Sequence, residues 1–195
     1  YALDSDFDKP QSIHLTKIPR ILGLSFILFF VLSIFLFDFN LVYKLIFLCS
    51  LFCATIGLIE DFNFHLSPKI RFIIKFLSLI IVFLFIPEVK ILDKIYFLPN
   101  IFQNDIFRIF FTIFAIITIV NSFNFIDGLN GFLILYSVVI LTFLLFFLSD
   151  IETLNFLHLI IFHLCIVLFF NFPKSKAFLG DFGSYFLGYF FALLF

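Results

Sequence analysis

The chain has 195 residues, of which 64% are hydrophobic and 13% charged, against about half and about a quarter in an ordinary soluble domain; it has too little polar surface to cover a globule in water. A net charge of −1 leaves no basic field for nucleic acid. Three cysteines, Cys49, Cys53 and Cys165, do not supply the two pairs of a four-cysteine zinc module. With a mean hydropathy of +1.24, lipid is the solvent this composition fits, and the 38 Phe residues serve as packing and lipid-facing bulk.

A short polar stretch with Asp8-Lys9-Pro10, His14 and Ile18-Pro19-Arg20 comes first. Six apolar runs follow, at Ile21–Phe37, Leu41–Ile59, Phe72–Pro87, Ile106–Val120, Gly131–Ser149 and Leu154–Phe172. Each is continuously apolar, which predicts helices rather than the alternating strands of a lipid-spanning barrel. A last run, Phe182–Phe195, would rise about 21 Å as a helix, short of a hydrocarbon core of about 30 Å. The expected fold is all-α: a polytopic transmembrane helical bundle forming one membrane domain over residues 1–195, with six spans plus a truncated seventh. The start at Tyr1 and the unfinished last run mark the chain as a fragment.

Counting crossings puts the segment before Ile21, the Glu60–Ile70 loop, the Asn121–Asn130 segment and the Pro173–Asp181 loop on one side. Eight of the twelve cations lie there: Lys9, Lys17, Arg20, Lys69, Arg71, Lys75, Lys174 and Lys176. Lys44, Lys90, Lys94 and Arg108 lie on the other. Positive charge accumulates in the cytoplasm, so the first side is cytoplasmic. Asp38, Glu88, Asp93, Asp105, Asp150 and Glu152 then fall in external turns as solvated caps, and Lys75 is expected to snorkel to the cytoplasmic interface.

Four other acids stand beside apolar spans, where ionisable groups are costly and mark function. Glu60 and Asp61 end the second run and are the candidate catalytic residues, one suited to pairing with a cation and the other to handling a proton. Asn121 and Asn124 share a helix face, and Asp127 and Asn130 follow in a turn opened by Gly128 and Gly131. Asp181 sits between Gly180 and Gly183, where backbone can approach a ligand. Carboxylate and amide oxygens suit Mg²⁺ or Mn²⁺ rather than zinc, and Lys69, Arg71, Lys174 and Lys176 add cations for phosphate. The combination points to phosphoryl transfer to or from a lipid.

Three segments carry a resemblance: Gly57-Leu-Ile-Glu-Asp61 with Ser67-Pro-Lys-Ile-Arg71, Asn121-Ser-Phe-Asn-Phe-Ile-Asp-Gly-Leu-Asn-Gly131, and Phe178-Leu-Gly-Asp-Phe-Gly-Ser-Tyr-Phe-Leu-Gly188. In this order they resemble the polyprenyl-phosphate N-acetylhexosamine-1-phosphate transferases, over residues 8–188. The resemblance implies that Glu60-Asp61 is the family's acidic pair, with Glu60 one methylene longer than the usual Asp. It implies metal coordination at Asn124 and Asp181, a nucleotide-proximal segment at Asp127 and Asn130, and a family position at His14. The Pro19-Arg20 turn is similar to that of the branch initiating O-antigen and common antigen rather than the peptidoglycan branch. A His-rich cytoplasmic loop is expected beyond Phe195.

The resemblance further implies a bacterial inner-membrane enzyme with a cytoplasmic site, Mg²⁺ as cofactor (Mn²⁺ an alternative), and a UDP-N-acetylhexosamine and polyprenyl (undecaprenyl) phosphate as partners, with a homodimer admissible. A multi-pass ion-coupled transporter is the alternative; it calls for acids at mid-span. The sidedness is testable in a background lacking the native cysteines. Asn63→Cys should label only from the cytoplasm and Asp93→Cys only from outside, and the reverse pattern would overturn the topology.

Overall fold

A computed structural model describes residues 3–4, 18–62, 64, 66–85 and 104–194. His14, Asn63, His65, Glu88, Lys90, Asp93 and Lys94 lie outside the described residues. Seven α-helices occur among those described: α1 Ser25–Leu36, α2 Leu41–Asp61, α3 Pro68–Phe85, α4 Asp105–Ile126, α5 Phe132–Leu145, α6 Ile151–Asn171 and α7 Gly180–Leu194. They follow the expected apolar runs in number and order. In length and apolarity, α2, α4 and α6 qualify as membrane crossings. The helices α1, α5 and α7, of 12, 14 and 15 residues, rise less than about 30 Å at about 1.5 Å per residue. The 18-residue α3 carries Lys69, Arg71 and Lys75.

Short polar signals set the helix ends. Asn40, Asn104 and Asp150 cap α2, α4 and α6, each side chain accepting from a backbone N–H one turn in. The carboxylate of Asp150 accepts from the Thr153 hydroxyl and from Thr153 N at 2.9 Å, which together hold its pKa below the usual range, in keeping with the capping role expected of it. Gly131, with φ of 73°, closes the turn between α4 and α5 in a conformation a side chain disfavours.

The shortest full helix but two is the centre of the bundle. Between Gly180 and Leu193, α7 is buried almost throughout, packed between α2 and α4, with the 3-10 turn Leu22–Leu24 against its start. The described residues ahead of that turn join this packing. Ile18–Pro19 (β2) pairs antiparallel with Leu3–Asp4 (β1), and Arg20 bridges Phe178 in parallel. Phe178 N donates to Pro19 O at 2.8 Å, and Gly23 N donates to Leu179 O at 2.9 Å. Two-residue strands are thus the β content of an otherwise helical described chain.

Inside lipid there is no hydrophobic gain in bringing helices together, so close van der Waals contact must do it. Phenylalanine supplies much of it: Phe26 stacks on Phe186 at 4.3 Å, and Phe47 packs on Phe30 and Phe186, each at 4.9 Å. Gly57 lets α2 and α7 touch backbone to backbone, since a Cβ there would lie 2.4 Å from Phe182 N. Gly57→Ala should therefore destabilise the bundle by about 1–3 kcal/mol, as overpacking does. Gly128→Ala, whose Cβ would meet its nearest neighbour at an ordinary 3.5 Å, should change little. Thermal midpoints of the detergent-solubilised variants check the difference, and equal midpoints would contradict the close crossing.

Candidate active site

The first turns of α7 need partners from elsewhere, because the leading N–H groups of any helix lack intrahelical acceptors. Asp61, the last residue of α2 and 2% exposed, supplies them. Its Oδ1 accepts from Asp181 N at 2.8 Å and its Oδ2 from Phe182 N at 3.0 Å. Negative charge is also favoured at this end of a helix by the peptide dipoles. Gly180 makes the approach feasible: its φ is 78°, and a Cβ there would lie 2.7 Å from Asp61 Oδ2.

The end of α4 faces the same point. Asn124 Nδ2 donates to Asp181 Oδ1 at 2.8 Å and to Ser184 Oγ at 3.0 Å. Asp127, the C-cap of α4, follows in the turn. Part of its surface is open, yet protein atoms crowd its carboxyl and push its pKa well up. The charges of Asp181 and Asp61 push the same way, and Arg20 opposes them. Asp61, Asp127 and Asp181 thus form one electrostatic cluster, with the charge of Arg20 acting on Asp61 and Asp127.

A second cluster adjoins the first. Glu60 is paired by Oε1 with Arg71 Nε and accepts at Oε2 from the Tyr185 hydroxyl at 2.8 Å. Lys75 Nζ donates to Asn121 Oδ1 at 2.7 Å and stands 3.7 Å from the centre of the Tyr185 ring. Arg71 and Lys75 are four apart on α3, hence on one face.

Among the described residues, no three His, Cys, Asp or Glu side chains stand close enough to cage a metal. Mg²⁺ is usually held by one or two carboxylates with phosphates and water completing the shell, and the donors expected for it here are the Asp181 carboxylate and the neighbouring Asn124 amide. Asn124 turns its Nδ2 toward Asp181, so sharing a cation would require its amide to rotate and offer Oδ1.

Of the residues expected from sequence, Glu60, Asp61, Arg71, Asn121, Asn124, Asp127 and Asp181 meet at this end of the bundle. Lys69 is exposed in the first turn of α3, and Asn130 is half-buried in the turn after Asp127. Lys75 is a correction: it does not snorkel but is 2% exposed, held by Asn121 and Tyr185. Sequence reading missed Asn171, and it placed Ser184 and Tyr185 within the third segment without giving either a role. The buried Asn171 accepts from Gly131 N and donates to Ala177 O at 3.0 Å, tying the Asp127 turn to the segment before Asp181. Its signal was an amide ending an apolar run, the same signal that marked Asn124.

The family model for glycosyl transferase family 4 matches residues 43–195, which include all but the first two residues of α2, the whole of α3 to α7, and every site residue named above except His14 and Arg20. The chain belongs to glycosyl transferase family 4. A phospho-N-acetylmuramoyl-pentapeptide-transferase from Dictyoglomus thermophilum is 29% identical over 173 residues, covering 85% of this chain and 56% of that protein. The chain thus spans little more than half the length of this relative, whose name belongs to the peptidoglycan branch. Membership in family 4, with three helices suited to crossing a bilayer, makes this an integral membrane protein.

The raised pKa of Asp127 has a stability consequence for the metal-free protein. Between the ordinary value of about 4 and the raised value, the folded state binds more protons than the unfolded one, so this group lowers stability as pH rises. Asp127→Asn removes that loss. In EDTA, its thermal midpoint should exceed the wild-type value by a margin that grows from pH 4 toward neutrality. A margin independent of pH would show that Asp127 titrates normally.

Proposed function

We propose that this family 4 chain carries the active site of a polyprenyl-phosphate N-acetylhexosamine-1-phosphate transferase, working at the cytoplasmic face of a bacterial inner membrane. The observation that supports it is the meeting of three carboxylates, Asp61, Asp127 and Asp181, from the ends of α2, α4 and α7, beside the cations Arg20, Arg71 and Lys75. Anionic donors and cations gathered where helices end fit two phosphate-bearing substrates, one soluble and one anchored in lipid.

In the reaction, an oxygen of the lipid phosphate attacks the β-phosphorus of a UDP-N-acetylhexosamine. The bond from that phosphorus to the bridging oxygen breaks, and UMP leaves with both bonding electrons. Mg²⁺ bound at Asp181, with Asn124 as second ligand, would neutralise diphosphate charge. Arg71 offers its remaining guanidinium donors to phosphate oxygens. Asp61 holds the start of α7, and thereby Asp181, in register. The lipid phosphate has a second pKa near about 6 and is largely dianionic at neutral pH, so it does not need a strong base.

An ion-coupled transporter fits less well. Glu60 and Asp61 end α2, Asp127 follows α4 and Asp181 opens α7, so these acids stand at helix ends rather than along a path through mid-span. For the branch, the Pro19-Arg20 turn supports O-antigen or common-antigen initiation, whereas the relative's name supports the peptidoglycan side. Supplying UDP-N-acetylglucosamine, UDP-N-acetylgalactosamine and UDP-N-acetylmuramoyl-pentapeptide in parallel separates the branches.

One phosphoanhydride is exchanged for another, so the equilibrium constant lies near unity and the reaction runs backward readily. Radiolabelled UMP should enter UDP-sugar only with Mg²⁺ and lipid-linked product present, and Asp61→Asn should slow both directions together. Asp181→Asn should abolish exchange in an enzyme that still inserts and folds. Failure of label to enter any UDP-hexosamine with folded full-length wild type would overturn the assignment.

A further inference from the structure

Tyr185 lies one turn beyond Asp181 on α7, on the same face, and is 1% exposed. It is the point where three other helices meet. Its hydroxyl donates to Glu60 of α2, and its ring face receives Lys75 of α3, whose ammonium in turn donates to Asn121 of α4. Glu60, itself 8% exposed, thus has both oxygens engaged, one by Tyr185 and the other by Arg71. Arg71 is anchored asymmetrically. Its Nε is sealed from solvent and meets Glu60 Oε1 as an ion pair rather than a hydrogen bond, while its side chain as a whole remains 40% exposed.

We infer that Tyr185 is a positioning residue: it holds Glu60 in the conformation that pins Arg71 by Nε and leaves the two Nη groups to bind a phosphate or diphosphate anion. The inference rests on the transferase reading for the identity of the anion's carrier, but the anion chemistry stands without it. Three physical points support it. A guanidinium pinned at Nε keeps four N–H donors in a plane, the geometry that matches phosphate oxygens. A long, flexible cation pays less ordering entropy on binding if it is already oriented. The Lys75 ammonium against the ring face adds a cation–π contact, strongest where water is excluded, and fixes the ring whose hydroxyl orients Glu60.

This arrangement also explains the pairing of two residues that reading in isolation left unrelated. The extra methylene of Glu60 gives the carboxylate the reach to meet a hydroxyl on α7 and a guanidinium on α3 at once. An Asp at position 60 would fall short of one of them. Glu60 therefore acts through Arg71, as the partner that pairs with a cation.

The test uses the full-length enzyme and two substitutions that preserve charge. Tyr185→Phe keeps the ring under Lys75 and removes the hydroxyl; Glu60→Asp keeps the carboxylate and removes the reach. Inorganic pyrophosphate binding, measured by calorimetry without substrate, should weaken about tenfold in each, and the double variant should be no weaker than the poorer single, because both act on one contact. In the exchange assay, KM for the UDP-sugar should rise by a similar factor with kcat within about twofold. Unchanged pyrophosphate affinity in Tyr185→Phe, losses that multiply in the double variant, or a fall in kcat at constant KM would overturn the inference. Wild type that does not bind pyrophosphate would overturn it too. Wild type that binds pyrophosphate but exchanges with no UDP-sugar would overturn the transferase reading and leave the positioning role standing.

Discussion

At the start of α7, two backbone N–H groups point away from their own helix into a place where water is scarce, and the carboxylate of Asp61 receives both. Leaving a buried donor unpaired costs about 1–3 kcal/mol, so this contact between the last residue of α2 and the first turn of α7 constrains how the two helices meet. It demands that their backbones nearly touch, which Gly57 permits on one side and Gly180 on the other. The remaining packing around α7, the Phe26–Phe186 stack and the contact with Leu22–Leu24 included, follows from that placement.

The same contact creates the chemistry. Capping α7 with Asp61 draws a second carboxylate, Asp181, to the same helix end, and Asn124 and Asp127 close the ring from α4. Burial first, and then the negative charges of Asp181 and Asp61, raise the cost of ionising Asp127, which pushes it toward its neutral form, and a cation, whether metal or guanidinium, would stabilise the charged set. The neighbouring cluster of Glu60, Arg71, Lys75 and Tyr185 sets one carboxylate against two cations. A site that must take up phosphate beside carboxylates needs cations held in place beforehand, and the two clusters divide that work: acids on the α7–α4 side, oriented cations on the α3 side.

The relation to the peptidoglycan-branch relative is one of shared framework. The family match begins in α2 and runs to the end of the chain, so it covers the carboxylate ring and the cation cluster alike. Arg20 reaches the site from outside that match, through a backbone zipper of Pro19 and Gly23 with Phe178 and Leu179. Residues 19–23 are thereby packed against the residues that lead into α7.

What could be read from the sequence was whatever depends on local pattern. Apolar run length announced the helices, glycine and asparagine punctuation located the turn after α4, and acids beside apolar spans identified Glu60, Asp61, Asp127 and Asp181, because a charge next to lipid is costly wherever the chain goes. Helix pairing was not legible: that α7, the last and one of the shorter helices, lies at the centre depends on contacts between residues some 120 positions apart, as in Asp61 with Asp181. For the same reason Lys75 read as a snorkelling surface cation, since its linear context is apolar on both sides, and only the approach of α4 and α7 gives it Asn121 and the Tyr185 ring as partners. Tyr185 lay within the third segment but had no role to read from it, being one aromatic among many, until the fold brought its hydroxyl to Glu60. Residue type and spacing determine which groups are available to do chemistry; which of them face one another is decided by how backbones with small residues at their crossings come into contact.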